Sequence, residues 1–390
     1  MLRVLTIGHS YVVAQNQAVP AAIARDPRIE LTLAAPSYHH GDLQPLKLER
    51  ISHPDYRIAP IRAWFTRKNH STCYSPLALR RLVRGGDFDV VHAWEEPYTL
   101  PGYQVGRIAG RTGAKFLFRT AQSIAKSYPW PFSTFERATL ARADGWVAGG
   151  GLVYDAMIQK GFPEARGRVI TLGVDMDHFC PIDGVEREAV RKSLMLEQPV
   201  VGFVGRLVAA KGLDVLMQAL ERVPQPWSLL VLGSGPYEQR ILSWAERHGW
   251  SQRVRVLLAR HDEVPRYLNA MDVLAAPSQT TPTWKEQFGR MVIEAFACRV
   301  PVIGSDSGEI PYVVADAGMI VSESDVDGWA QAITSLLGDA EQRSRLADKG
   351  QERCRERYDV HAVAKQYTEF YFDLTNATSR RSVLTAEQHR

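Results

Sequence analysis

Cysteine is scarce in this chain, with four in 390 residues: Cys73, Cys180, Cys298 and Cys354. They lie far apart and form no C-x-x-C pair or Cys/His cluster, so neither a disulfide framework nor a zinc site is indicated, and a reducing cytoplasm fits best. Long hydrophobic runs are lacking too. Nowhere do about 18 apolar residues follow one another, so no membrane-spanning helix is expected. Met1 to Gly8 has neither the long apolar core nor the small-residue cleavage site of a secretory signal; it reads as a short buried strand, and export is not expected. Short repeats and low-complexity segments are missing, and 45% apolar residues is ordinary for a globular protein.

Acid is absent from one stretch. Between Tyr56 and Gly86, the side chains of Arg57, Arg62, Arg67, Lys68, Arg80, Arg81 and Arg84 meet no Asp or Glu, and Trp64, Phe65 and Tyr74 are interleaved with them. The imbalance extends to the first half as a whole. Up to Leu172 the chain has 22 Lys and Arg against 13 Asp and Glu, and after it 25 against 30. The basic stretch reads either as a solvated face or as a surface for anionic lipid or an anionic acceptor. No nucleic-acid-binding motif accompanies the charge, so nucleic acid is not an expected partner.

What is present is an alternation of short β-rich apolar runs with amphipathic stretches, the mark of parallel βα units rather than hairpins. The fold class is α/β, and 390 residues exceed what one core usually supports, so two domains are expected. Strands are predicted near Val4 to Ile7, Glu30 to Ala34, Asp89 to Ala93, Lys115 to Phe118, Gly145 to Ala148 and Arg168 to Leu172. A linker follows around Gly173 to Pro181. The second series is predicted at Pro199 to Gly205, Ser228 to Leu232, Val254 to Leu258, Val273 to Ala276 and Val300 to Ile303. Two Rossmann-like domains facing a cleft, 1–175 and 183–360, are the expected architecture.

The richest stretch runs from Pro282 to Cys298, where an apolar run after Gly289 contains one carboxylate, Glu294. A helix there has almost no polar face, so Glu294 is expected to be buried or at a rim, which is costly without hydrogen-bonding partners. These partners are either structural or the hydroxyls of a bound ribose. Glu286 lies eight residues earlier, which along a continuous helix sets the two carboxylates about 12 Å apart. The intervening loop, Gln287, Phe288, Gly289, Arg290 and Met291, would turn backbone N–H groups toward a phosphate at a helix start. A second constellation is Val204 to Gly212: a strand runs into Gly205, then Arg206, then Lys211 before a helix. Cations at a strand's carboxyl end suit a diphosphate, Arg206 through paired bonds and Lys211 as a point charge. Gly233 closes a further strand and is either a ligand approach or a plain βα turn.

Together these residues resemble the retaining glycosyltransferases of family 4, which have the GT-B fold of two Rossmann-like domains. The resemblance covers residues 165 to 360 best, including Leu172 to Phe179 and Pro301 to Gly308. It implies that Glu286 contacts the transferred sugar, Glu294 holds ribose hydroxyls, and Arg206 and Lys211 neutralise the diphosphate. Glu286, Arg206 and Lys211 are then the catalytic candidates. The donor would be a nucleotide-diphosphate sugar, a substrate rather than a cofactor, and no metal is required. By the same analogy 1–175 binds the acceptor, 183–360 the donor, a helix at 361–377 returns to the first domain, and 378–390 is a flexible tail.

On the acceptor side, position alone selects His9 after the first strand, His92 and Glu95 at another, and Arg119 and Gln122 at a third. The chain departs from the family's usual pattern at Gly8-His9, at Phe118 to Gln122, at Cys298-Arg299 and at Tyr312. The implied activity is transfer to a glycan or lipid-linked acceptor in cell-surface or exopolysaccharide synthesis, in the cytoplasm or at the inner face of its membrane. Competing readings are a non-catalytic nucleotide-sugar or glycan-binding module and an epimerase of the same architecture. A phosphorylase lacks a marked pyridoxal lysine, and a two-carboxylate hydrolase needs a closer pair.

Overall fold

The structure, a computed structural model, describes residues 1–40, 45–51 and 55–387, with side chains to residue 376. The chain forms two compact units: Met1–Gly173 together with the C-terminal segment from Val360, and Val174–Asp359.

The first unit is built on a seven-stranded sheet. Its strands are β1 (Leu2–Ile7), β2 (Ile29–Pro36), β3 (Arg57–Ile61), β4 (Val90–Ala93), β5 (Lys115–Thr120), β6 (Gly145–Ala148) and β7 (Gly167–Val169). The order is β7-β6-β5-β4-β1-β2-β3, every pairing parallel. Continuous burial of β1, β4, β5 and β6 follows from helices packing on both faces of a parallel sheet. Strand β3 was not predicted from the sequence: it is an edge strand, Arg-Ile-Ala-Pro-Ile, only five residues long, and its proline argues against a strand. Two short antiparallel pairs, Tyr38–His39 with Leu46–Lys47 and Ala63–Trp64 with Cys73–Tyr74, also depart from the expectation of parallel units alone.

The C-terminal helix, Val360–Glu387, completes this unit. Val360, Val363, Ala364, Tyr367, Phe370 and Tyr371 recur at helical spacing and enter one core with Val4, Leu31, Val90, Leu117 and Val147. The helix packs against Ala18–Ala24. It continues to Glu387 where the sequence reading ended it at 377, since no Gly or Pro interrupts it. The rest of the expected tail, 388–390, lies outside the described residues.

The second unit has a six-stranded parallel sheet: β8 (Val200–Val204), β9 (Ser228–Leu232), β10 (Val254–Leu257), β11 (Val273–Ala276), β12 (Val302–Ser305) and β13 (Met319–Val321), ordered β10-β9-β8-β11-β12-β13. The three-residue edge strand β13 was too short to be seen in the sequence pattern. The segment read as a linker is packed into this unit: Val174 and Phe179 are buried, and Asn269 accepts from Ile182 N–H and donates to the Cys180 carbonyl. Among the described residues no helix is long and apolar enough to cross a membrane, and no group of three or more His, Cys, Asp or Glu is placed to hold a metal ion.

Candidate functional site

In open parallel sheets, ligands bind beyond the carboxyl ends of strands where the strand order reverses. In the second unit that point lies between β8 and β11. The turn after β8 carries Gly205, exposed Arg206 and, one short helical turn later, Lys211. The loop after β11 carries Ser278 and Glu286, and Gln279 N–H donates to the Ala210 carbonyl at 2.8 Å, tying the two loops together. Gly233, closing β9, lies so near the Gly205 carbonyl that a Cβ would stand 1.9 Å from its oxygen, so the turns after β8 and β9 stack only because this residue is glycine.

Glu286 is buried and accepts from Lys211 Nζ at 2.5 Å and from Ser278 Oγ at 2.7 Å. Both bonds converge on Oε2; Oε1 accepts none among the described residues. Lys211 Nζ also lies 5.0 Å from the centre of the Trp284 ring. Glu309 N–H holds the Glu286 carbonyl at 3.0 Å, which fixes the backbone from which the carboxylate projects. Arg206 makes no ion pair among the described residues, an arrangement suited to an anionic ligand.

Glu286 does not share a helix with Glu294, as the spacing estimate assumed. The helix is Arg290–Ala297, and Gly289 precedes it at φ 85°, a left-handed turn that separates the loop from the helix. The 12 Å figure for a continuous helix therefore does not apply. Gln287 is exposed in the loop; Phe288 is buried edge-on to Tyr358; Arg290 is half-buried at the helix start; Met291 and Glu294 are buried within it.

In the first unit the order reverses between β1 and β4. His9 follows β1 and Glu95 follows β4. Glu95 is buried, Oε1 accepting from His9 N–H at 2.7 Å and from Tyr74 Oη at 2.5 Å, while Oε2 lies 2.7 Å from His9 Nδ1. Burial and the Glu95 charge push the Tyr74 hydroxyl well above its ordinary pKa, so it stays a donor. Two expected partners lie apart from this pair. Gln122 is held between Glu96 on one side and Tyr128 and Lys160 on the other. Arg119 lies over the Trp94 ring at 4.8 Å. His92 is a correction in position: it is fully buried, its Nδ1 is 2.8 Å from Tyr371 Oη, and desolvation followed by the Arg119 charge lowers its pKa to about 3. It is a neutral core histidine, placed there because it sits inside β4 rather than at its end.

Comparison with known proteins agrees with the two-unit α/β fold. The model of glycosyl transferases group 1 matches residues 186–353, and that of glycosyltransferase family 4 matches residues 24–178. A D-inositol 3-phosphate glycosyltransferase of Xylanimonas cellulosilytica is 32% identical over 323 residues, covering 76% of this chain and 74% of that protein. The chain belongs to the family 4 glycosyltransferases. A relative of the same name from Corynebacterium urealyticum is 35% identical over 238 residues, 56% of this chain, and the match spans only 54% of that relative. Among solved structures, HepE of Anabaena in complex with UDP and glucose superposes with a TM-score of 0.73 at 18% identity, covering 95% of this chain and 99% of that one. At that identity the likeness is one of fold, the GT-B class.

The family resemblance singled out Arg206, Lys211 and Glu286, and the fold brings Lys211 and Glu286 into direct contact. Sequence reasoning missed Ser278, Trp284 and Tyr74. Ser278 had a signal, since it closes the buried run Val273–Ala276 and so had to lie on the ligand rim of this family 4 fold.

Proposed function

We propose that this family 4 protein is a retaining glycosyltransferase that moves a sugar from a nucleotide-diphosphate donor to a glycan or lipid-linked acceptor, in cell-surface or exopolysaccharide synthesis at the inner membrane face. The observation that carries the reading is the cluster at the second unit's switch point. Glu286 is held by Lys211 and Ser278 through one oxygen, leaving the other to meet a sugar hydroxyl, and Arg206 is exposed on the turn that also carries Lys211.

In this reading the bond between the sugar's anomeric carbon and the diphosphate oxygen breaks while charge grows on the leaving group. Arg206 and Lys211 stabilise that charge, the electrostatic contribution that usually dominates such steps. The acceptor oxygen bonds the anomeric carbon on the same face, and its proton passes to the departing phosphate oxygen. Glu286 orients the sugar through its hydroxyls, and Glu294 serves the ribose. His9 and Glu95 stand on the acceptor side. Because the named relatives are D-inositol 3-phosphate glycosyltransferases, a phosphorylated cyclitol is the first soluble acceptor to try.

The test is thermal unfolding of the full chain with UDP, GDP, ADP and TDP in turn. A nucleotide at 100 times its dissociation constant stabilises by about 2.7 kcal/mol. One nucleotide is expected to raise the midpoint, and Arg206→Ala to abolish the rise. No rise with any nucleotide overturns the reading.

A further inference from the structure

The basic stretch between Tyr56 and Gly86 lies in the first unit and supplies an edge strand, a short hairpin and a helix. Its cations, Arg57, Arg62, Arg67, Lys68, Arg80, Arg81 and Arg84, are all exposed, and none forms an ion pair among the described residues. On the helix Pro76–Gly85, Leu77, Arg80, Arg81 and Arg84 recur at i, i+3, i+4 and i+7 and share one face, while Leu79 and Val83 enter the core from the other. The adjoining hairpin pairs Ala63–Trp64 with Cys73–Tyr74, and Ser75 N–H donates to the Arg62 carbonyl, joining hairpin base to helix start.

Apolar groups stand among these charges. Phe65 is 76% exposed and Leu77 60% exposed, with Trp64 beside Arg62, whose guanidinium is 5.4 Å from the indole. Phe65 also has φ 56°, a left-handed backbone that is costly for a bulky side chain. An aromatic ring held in water by a strained backbone gains nothing from folding. Such outliers persist where function uses them.

From this surface we infer that the hairpin and the Pro76–Gly85 helix dock the protein on an anionic lipid bilayer, the cations meeting phosphate headgroups and Phe65 and Leu77 entering the boundary below them. A soluble polyanion satisfies the charges but offers the two apolar side chains no apolar phase, so the bilayer is the better fit. The hairpin also leads to the acceptor side: Phe65 lies at its outer end, and Tyr74 at its base donates to Glu95 beside His9. Docking thus brings a lipid-linked acceptor toward His9 and Glu95, a consequence that rests on the transferase reading, whereas the docking itself does not.

The experiment is co-sedimentation of the full chain with vesicles of phosphatidylcholine alone and of an equimolar mixture of phosphatidylcholine and phosphatidylglycerol, at low and high salt. Binding is expected only to the mixed vesicles, weakening with salt. Arg80→Gln, Arg81→Gln and Arg84→Gln together should lower the partition about 100-fold. Phe65→Ser with Leu77→Ser should remove the fraction that survives high salt. Each variant is also tested for nucleotide-dependent thermal stabilisation, which a folded protein retains. Equal binding to both vesicle types, binding to neither, an unchanged triple-arginine variant, or capture by heparin but not by vesicles each overturns the inference. Vesicle binding without any nucleotide effect overturns the transferase reading and leaves this one standing.

Discussion

The two units place a carboxylate at the same topological position and use it differently. At the switch point of the first sheet, both oxygens of Glu95 are engaged, by His9 and Tyr74. At that of the second, Glu286 takes Lys211 and Ser278 on one oxygen, and its other oxygen accepts no hydrogen bond among the described residues. The first carboxylate is engaged on both oxygens and orients a histidine. The second retains capacity for a ligand, and the turn that carries its lysine partner also carries an exposed guanidinium, that of Arg206. One fold thus supplies two rims whose chemistry is set by how many protein donors each carboxylate already has.

Glu286→Ala tests the comparison most severely. It removes the proposed sugar contact and unpairs Lys211, and kcat is expected to fall about 10³-fold in steady-state assays. A loss no greater than that of a surface change would end the distinction between the rims. His9→Ala should act on the other side, lowering kcat/KM for the acceptor about 100-fold while donor-nucleotide stabilisation is unchanged. Equal weakening of nucleotide binding would end the division of roles between His9 and Glu286.

His92, buried behind the first rim, sharpens the contrast with His9. It stays neutral in the folded protein, with a pKa lowered to about 3, whereas an unfolded histidine titrates near 6.5. Its contribution to stability is therefore complete above about pH 6.5 and is lost as pH falls toward 3, because only the unfolded chain takes up the proton. Between pH 6.5 and 5 that amounts to about 2 kcal/mol. Denaturant titrations should show His92→Gln with a correspondingly flatter acid limb. The smallest effect is expected at Ser278→Ala, about tenfold in kcat/KM, because Lys211 still holds the carboxylate and about one hydrogen bond is lost.

Much of this was legible in the sequence because it is local. The βα rhythm and the Gly205-Arg206 to Lys211 turn each announce themselves within a few residues, whereas the C-terminal helix was expected from the family resemblance. Glu286 was legible through its spacing to Glu294 and the helix start after Gly289, although the estimate of about 12 Å borrowed the rise of a helix that does not include Glu286. The His9–Glu95 contact joins positions 86 apart, and Lys211–Glu286 joins positions 75 apart. Such pairs follow from strand order, which periodicity does not specify. Strand β3 was hidden for another reason: it is a five-residue edge strand that contains Pro60, and Arg57 at its start read as part of a basic surface.

The C-terminal helix has a consequence for how the molecule is made. Residues 174–359 form one uninterrupted unit, but the unit that begins at Met1 needs Val360 and the side chains after it to close its core. During synthesis the first-made half must wait, with Val4, Leu31 and Val90 uncovered, while the second-made half emerges and can fold. The order of completion is the reverse of the order of translation, and a ribosome stalled before Val360 would expose an unfinished sheet.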